Sequence, residues 1–251
     1  MSEPAPTPKD PATLPDELAV LCQGGRAKII AVLARPGVER LALTTAVLQT
    51  LTSPGVVVAT RDGADAYREF FRSWNPTRSG RWTVLEGGNS EGGIRAVARA
   101  LARARDLIDD PNREESLSAL WLPAHILEAF GLLPADGAGL VVIDSWDGLL
   151  DEYLSEVSPT ADPWPSPHQL EKILVRTLRQ YAQALVVVLV DSSSQSRLAE
   201  LADGVVEVVA RGDYGTLAGS ILVTRRSEGP HPAQSLRFHL EGGTIRWHLN
   251  R

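Results

Sequence analysis

Two stretches of this chain place residues where phosphate and magnesium chemistry would need them. Lys28 to Leu48 reads KIIAVLARPGVERLALTTAVL, an apolar run that opens into a Pro-Gly turn and continues with a helical pattern. That is the strand–loop–helix layout of the phosphate-binding sequence G-x-x-x-x-G-K-[ST]. There the glycines let backbone N–H groups close around phosphate, the lysine neutralises the terminal phosphates, and the hydroxyl ligates magnesium. The register that sets Gly37 at the middle of the loop puts Ala34 at the first glycine, Glu39 at the last, Arg40 at the lysine and Leu41 at the hydroxyl. Leu140 to Leu149, LVVIDSWDGL, has the form of a strand whose terminal carboxylate, Asp144, holds magnesium through water, with Ser145 directly after it.

The substitutions have chemical consequences. Arg40 keeps a positive charge, but a planar guanidinium does not replace a lysine folded into the loop. Leu41 removes the magnesium ligand, and the Thr44–Thr45 pair lies a turn too deep in the helix to substitute. Glu39 sets a carboxylate where phosphate charge would sit, and a residue with a Cβ is ill suited to the loop's backbone angles. The helix N-terminus remains an anion site in principle. In the structural reading of the second motif, Asp144 and Ser145 end a buried strand and cap the next element.

Other candidates are weaker. Gly88 and Gly93 stand at phosphate-loop spacing, but Ile94 and Arg95 come next, where Lys and Ser/Thr belong. The helix beyond places Arg95, Arg99 and Arg103 on one face, a candidate contact for nucleic acid or an acidic partner. Glu91, Asp106 and Asp109 can pair with parts of that stripe, which favours a solvated face. Trp164, set among Pro163, Pro165 and Pro167, is a candidate loop contact for DNA or a partner, or a packing anchor. The histidines show no metal spacing. His239 and His248 are expected to flank one another on the outer face of a terminal hairpin with Arg237 and Arg246, as part of a polar sheet face.

The elements that must position these residues are read from periodicity. Ala27–Leu33, Gly55–Thr60, Trp82–Leu85, Leu140–Ile143 and Leu185–Val190 are short continuous apolar runs, as expected of strands covered on both faces. Helical patterns occupy Leu41–Leu51, Ala64–Trp74, Gly92–Ile108, Ser116–Phe130 and Pro167–Gln183. The alternation predicts a mostly parallel sheet between helical layers. After Asp203 come the strands Gly204–Ala210, Gly219–Arg225, Ser235–Leu240 and Thr244–Leu249 without helices between them, so the sheet should finish antiparallel. A Gly-Gly turn joins the last two as a hairpin. Ser155–Pro167 reads as a loop because its prolines deny a helix. Residues 1–14 read as a flexible Pro-rich tail, 15–251 as one domain, and 109–138 as a helical insertion before the Asp144 strand.

Composition sets outer bounds. The 251 residues are 43% hydrophobic and 22% charged, which is ordinary for a globular chain. A net charge of −6 argues against bulk, sequence-independent affinity for nucleic acid. Cys22 is the sole cysteine, so neither a disulfide framework nor a cysteine zinc site can form within the chain. With no secretory signal pattern and no membrane-length apolar run, the expected setting is cytoplasmic, with no membrane partner.

Taken in order, the motifs resemble the KaiC-like branch of the RecA superfamily over about residues 20–249. Gly55–Trp74 resembles that family's second strand and helix, and its catalytic glutamate pair falls on Arg61 and Asp62. LVVIDSWDGLLDEY resembles its Walker B strand, and LVVVLVDSSSQSRLAELADGVVEVV its next strand, polar loop and lead into antiparallel strands. ILVTRRSEGPHPAQSLRFHLEGGTIRW resembles a hairpin that in the family reaches a neighbouring subunit's nucleotide; Thr224 stands at its lysine and Arg226 at its arginine. The resemblance implies an α/β, RecA-like three-layer sandwich whose mostly parallel central sheet ends in antiparallel strands and a C-terminal hairpin. With the lysine, hydroxyl, first glutamate and trans lysine all replaced, it implies a pseudo-ATPase that regulates or scaffolds through a protein partner or related RecA-like subunit, with homo-oligomers possible and no cofactor. Two alternatives stand beside it. One is a divergent ATPase that binds Mg–ATP through Arg40, Asp62 and Asp144. The other is a recombinase-paralog-like DNA accessory protein.

Overall fold

The computed structural model describes Leu18 and residues 28–35, 37, 40–41, 43–44, 47, 54–60, 63–74, 82–87, 122–134, 139–156, 166–181, 185–194, 196–213, 216–225, 234–241 and 244–248. Nine strands form one sheet: β1 (Ile29–Ala34), β2 (Gly55–Ala59), β3 (Trp82–Glu86), β4 (Leu140–Asp144), β5 (Leu185–Asp191), β6 (Gly204–Asp213), β7 (Thr216–Arg225), β8 (Gln234–Glu241) and β9 (Thr244–His248). Their spatial order is β3-β2-β4-β5-β1-β6-β7-β8-β9. Strands β3 through β6 in that order run parallel, and β7, β8 and β9 continue antiparallel, as the loss of intervening helices after Asp203 predicts.

Side-chain parity in the strands divides the core into two layers. In β2 and β4, Val57, Ala59, Leu140 and Val142 face one side, while Val56, Val58, Val141 and Ile143 face the other, all buried. The first side is covered by α1 (Ala64–Trp74), through Tyr67, Phe70 and Phe71, and by the helical residues Leu41 and Leu43. The second is covered by α2 (Ala124–Gly131), α3 (Trp146–Glu156), α4 (Pro167–Tyr181) and α5 (Leu198–Leu201), through Ile126, Trp146, Leu149, Leu170, Leu174, Leu178 and Leu198. A strand buried on both faces gains from being apolar throughout, which is why these runs lack the alternation seen in β8 and β9. This is the expected three-layer α/β arrangement, a mostly parallel sheet between helical layers that ends in antiparallel strands.

The helix boundaries depart from expectation in two places. In the described part of the Ser116–Phe130 pattern, Leu122 and Pro123 are not helical and a helix starts at Ala124, with Pro123 in the extended cap conformation at φ −56°, ψ 150°; residues 116–121 lie outside the described residues. Ser155 and Glu156 belong to α3 rather than to the Pro-rich loop; the apolar triplet Trp146, Leu149 and Leu150 gives α3 its buried face despite Gly148. Ser166 and Gln169 form a reciprocal capping box, with Gln169 N–H donating to Ser166 Oγ (3.3 Å) and Ser166 N–H to Gln169 Oε1 (2.8 Å). The start of α4 at Pro167 is the one expected from the sequence. The patterns at Gly92–Ile108 and in residues 1–14 lie outside the described residues. Among the described residues, no helix is long and apolar enough to cross a membrane.

Candidate functional site

Parallel strands deliver their C-terminal ends to one edge of the sheet, the place where α/β folds collect ligands. Ala34 stands beside Asp191, and Ala59 beside Asp144, in the strand register. After β1 the chain turns through Gly37, whose φ of +132° suits glycine alone. Helical geometry then begins, with Leu41 N–H donating to the Gly37 carbonyl at 3.3 Å. The loop and helix thus stand where a phosphate cradle would.

The Arg40 side chain is turned inward. The residue is 2% exposed, and its guanidinium lies 2.7 Å from Asp144 Oδ1, with Asp144 wholly buried. Tyr67, reaching in from α1, donates its hydroxyl to Asp144 Oδ2. Both carboxylate oxygens are therefore engaged by protein, one by a cation and one by a phenol. Charge-assisted contacts of this kind hold a carboxylate that would otherwise lose several kcal/mol on burial. Leu41, at the hydroxyl position of the phosphate loop, is buried in the core beside Tyr67's layer.

Ser145 performs a structural task. Its Oγ accepts the N–H of Gly148 at 3.1 Å, and its carbonyl accepts that of Leu149 at 3.1 Å, which makes it the N-cap of α3. The Asp144–Ser145 peptide is cis. Thr60, just past β2, accepts Ser145 N–H at 2.7 Å and donates to the Ser145 carbonyl at 2.8 Å. A Cβ on Gly148 would come within 2.7 Å of Thr60 Oγ1, so this clasp requires a glycine there. Asp147, on the first turn of α3, accepts Asp191 N–H at 2.8 Å, while Ser192 N–H donates to the Ala34 carbonyl at 3.0 Å. The loops after β1, β4 and β5 are tied together by these bonds.

Two further buried polar groups went unmarked in the sequence. Glu171, 3% exposed on α4, accepts the indole N–H of the fully buried Trp146 at 3.0 Å, the Arg197 N–H at 3.1 Å and the Ser196 hydroxyl. It fastens α3, α4 and the start of α5 together. The signal available was slight: a glutamate among apolar positions of an otherwise amphipathic helix. His125, at the start of α2, sits against Gly87 beyond β3, where a Cβ would meet His125 Nε2 at 3.2 Å. Burial pushes its pKa down to about 4, because a charged imidazole would lose its hydration there.

Asp144 is committed to Arg40 and Tyr67, Arg40 is directed at a carboxylate rather than into the loop, and no hydroxyl stands next to it. Among the described residues, no group of three His, Cys, Asp or Glu side chains could hold a metal ion. Of the sequence candidates, Gly37, Arg40, Asp144 and Ser145 come together at this edge. Arg61, Asp62, Arg95, Arg99, Arg103, Trp164 and Arg226 lie outside the described residues, and Thr224 is placed only as a backbone position of β7 opposite Val205.

No protein-family model matches the chain, and no curated protein matches it. Among solved structures, it is similar to a KaiC-like protein from the hyperthermophilic archaeon Pyrococcus horikoshii. Identity is 14%, the alignment covers 89% of this chain and 90% of that one, and the TM-score is 0.48. The likeness is one of chain path alone.

Proposed function

We propose that this protein is a RecA-like pseudo-ATPase that acts as a regulatory or scaffolding subunit by binding a protein partner, including a related subunit or a second copy of itself. The observation that carries the reading is the buried Arg40–Asp144 pair with Tyr67 on the second carboxylate oxygen. In a working site, a cation at this loop position would face phosphate, and the strand's carboxylate would face magnesium. Here the two groups neutralise each other. Freeing them for a ligand requires breaking a desolvated ion pair, so the ligand would have to offset that cost before gaining any affinity.

The test is a thermal-shift and calorimetric titration with Mg–ATP. A ligand at about a thousand times its dissociation constant stabilises a protein by about 4 kcal/mol, roughly 8–16 °C in a chain of this size. The expected result at millimolar Mg–ATP is a shift below about 1 °C and no saturable heat. Micromolar binding would overturn the proposal and favour the divergent ATPase.

A further inference from the structure

The terminal hairpin carries a cluster of basic side chains that the nucleotide-site reading does not use. In β8 and β9, Arg237 stands opposite His248 and His239 opposite Arg246, so four basic side chains occupy one face in a two-by-two array. Arg237, Arg246 and His248 are exposed, and the His239 side chain is 37% exposed. Among the described residues the one carboxylate paired with the array is Glu241, 3.7 Å from His239. Two arginines thus stand diagonally across the face, each opposite a histidine, in a chain whose net charge is −6.

Among the described residues, the strand that bears half of this array is the last of the sheet. An edge strand offers unpaired backbone N–H and C=O groups, and charged side chains there often serve to discourage pairing. Trp247 argues for docking instead. It lies on the opposite, core-facing side of β9, 8% exposed and edge-on to Phe238, and its buried indole N–H has no acceptor among the described residues. A strand laid along β9 would set its inward side chains beside Trp247 and its outward ones beside Arg246 and His248.

We propose that β9 is a docking edge for an extended acidic segment of a partner protein. Its backbone would pair with Thr244–His248, its outward Asp or Glu residues would meet the Arg237/Arg246 array, and its inward residues would cover Trp247. A second copy of the chain paired edge to edge would bring two such arrays together, which charge repulsion opposes. Single-stranded nucleic acid would use large stacking aromatics, and the described outward positions of β7–β9 supply no Phe, Tyr or Trp, only the imidazoles of His239 and His248. The inference deepens the partner-binding reading by naming the surface and the partner's chemistry.

The experiment uses the full 15N-labelled chain and an acetylated, amidated peptide of about ten residues alternating Glu and Val. Expected are saturable shifts of the Thr244–His248 amides and of the Trp247 indole N–H. Affinity should weaken at least about tenfold in Arg237→Glu/Arg246→Glu, whose exposed positions leave the fold intact. The same peptide with alternate backbone nitrogens methylated should not bind. No saturable shift by about 1 mM peptide would overturn the proposal. Equal binding of the methylated peptide would too, as charge alone would then suffice, and so would tighter binding of oligothymidylate at the same residues. No arm involves nucleotide, so failure here leaves the Mg–ATP titration unaffected, and the reverse holds.

Discussion

Replacing Arg40 by Met tests whether this side chain is an internal counter-ion or a vestigial phosphate ligand. At 2.7 Å and an effective dielectric of about 20, the Coulomb attraction to Asp144 is about 6 kcal/mol, and desolvating the two ions offsets most of it. The net worth of the intact pair is therefore small. Removing one member is different, because it leaves a wholly buried carboxylate with only the Tyr67 hydroxyl and its remaining contacts. Such single removals cost about 3–5 kcal/mol, a large part of the roughly 5–15 kcal/mol that holds a domain folded. Arg40→Met should lower Tm by about 6–20 °C. The triple change Arg40→Met/Tyr67→Phe/Asp144→Leu, which removes every charge and the phenol donor together, should recover to within about 2 kcal/mol of the parent. In Arg40→Met, Asp144 would lack its cation and favour its neutral form, so its folded pKa would rise above the unfolded value. That variant should gain stability relative to the parent as pH falls below the raised pKa. Urea unfolding at pH 7 and pH 5 reads all of this. Arg40→Met within about 1 kcal/mol of the parent at pH 7, with no acid recovery, would refute the counter-ion role and return Arg40 to the phosphate loop.

Three further outcomes concern the neighbouring polar groups. His125, with its pKa pushed down to about 4, contributes stability that is fully present above its unfolded value of 6.5 and is lost as pH falls toward 4. His125→Leu should flatten that limb by up to about 3 kcal/mol, seen as a smaller difference in urea midpoint between pH 7 and pH 4; an unchanged difference refutes it. Ser145→Ala removes the cap on α3 and should cost about 0.5–2 kcal/mol in urea unfolding, while Ser145→Asp should restore part of it. Glu171→Ala strands the Trp146 indole N–H together with the Ser196 and Arg197 donors, and should cost about 2–4 kcal/mol with a red shift of tryptophan emission. A stable variant with unshifted emission would show that water replaces the carboxylate.

Much of the architecture was legible because strands buried on both faces must be apolar throughout. The runs around Val57, Val142 and Val188 announce a parallel sheet before any coordinates are known, and the alternation Leu236–Arg237–Phe238–His239–Leu240 announces the outer hairpin with its faces already assigned. The α3 helix was hidden because Asp144, Ser145, Asp147 and Gly148 read as a polar strand terminus. Its apolar face, Trp146, Leu149 and Leu150, acquires meaning only against the second core layer.

The sequence by itself determined that Arg40 and Leu41 occupy the lysine and hydroxyl positions of a phosphate-loop pattern, because that is a matter of order along the chain. It could not determine where the guanidinium goes. Arg40 and Asp144 are 104 positions apart in the chain, and only the packing of β1 against β5, β5 against β4, and α1 over that face brings the cation, the carboxylate and the Tyr67 hydroxyl together. Residue order left an altered loop beside an acidic strand. Tertiary structure decided that the two neutralise each other, because at contact distance inside a low-dielectric core an isolated charge is costlier than a paired one.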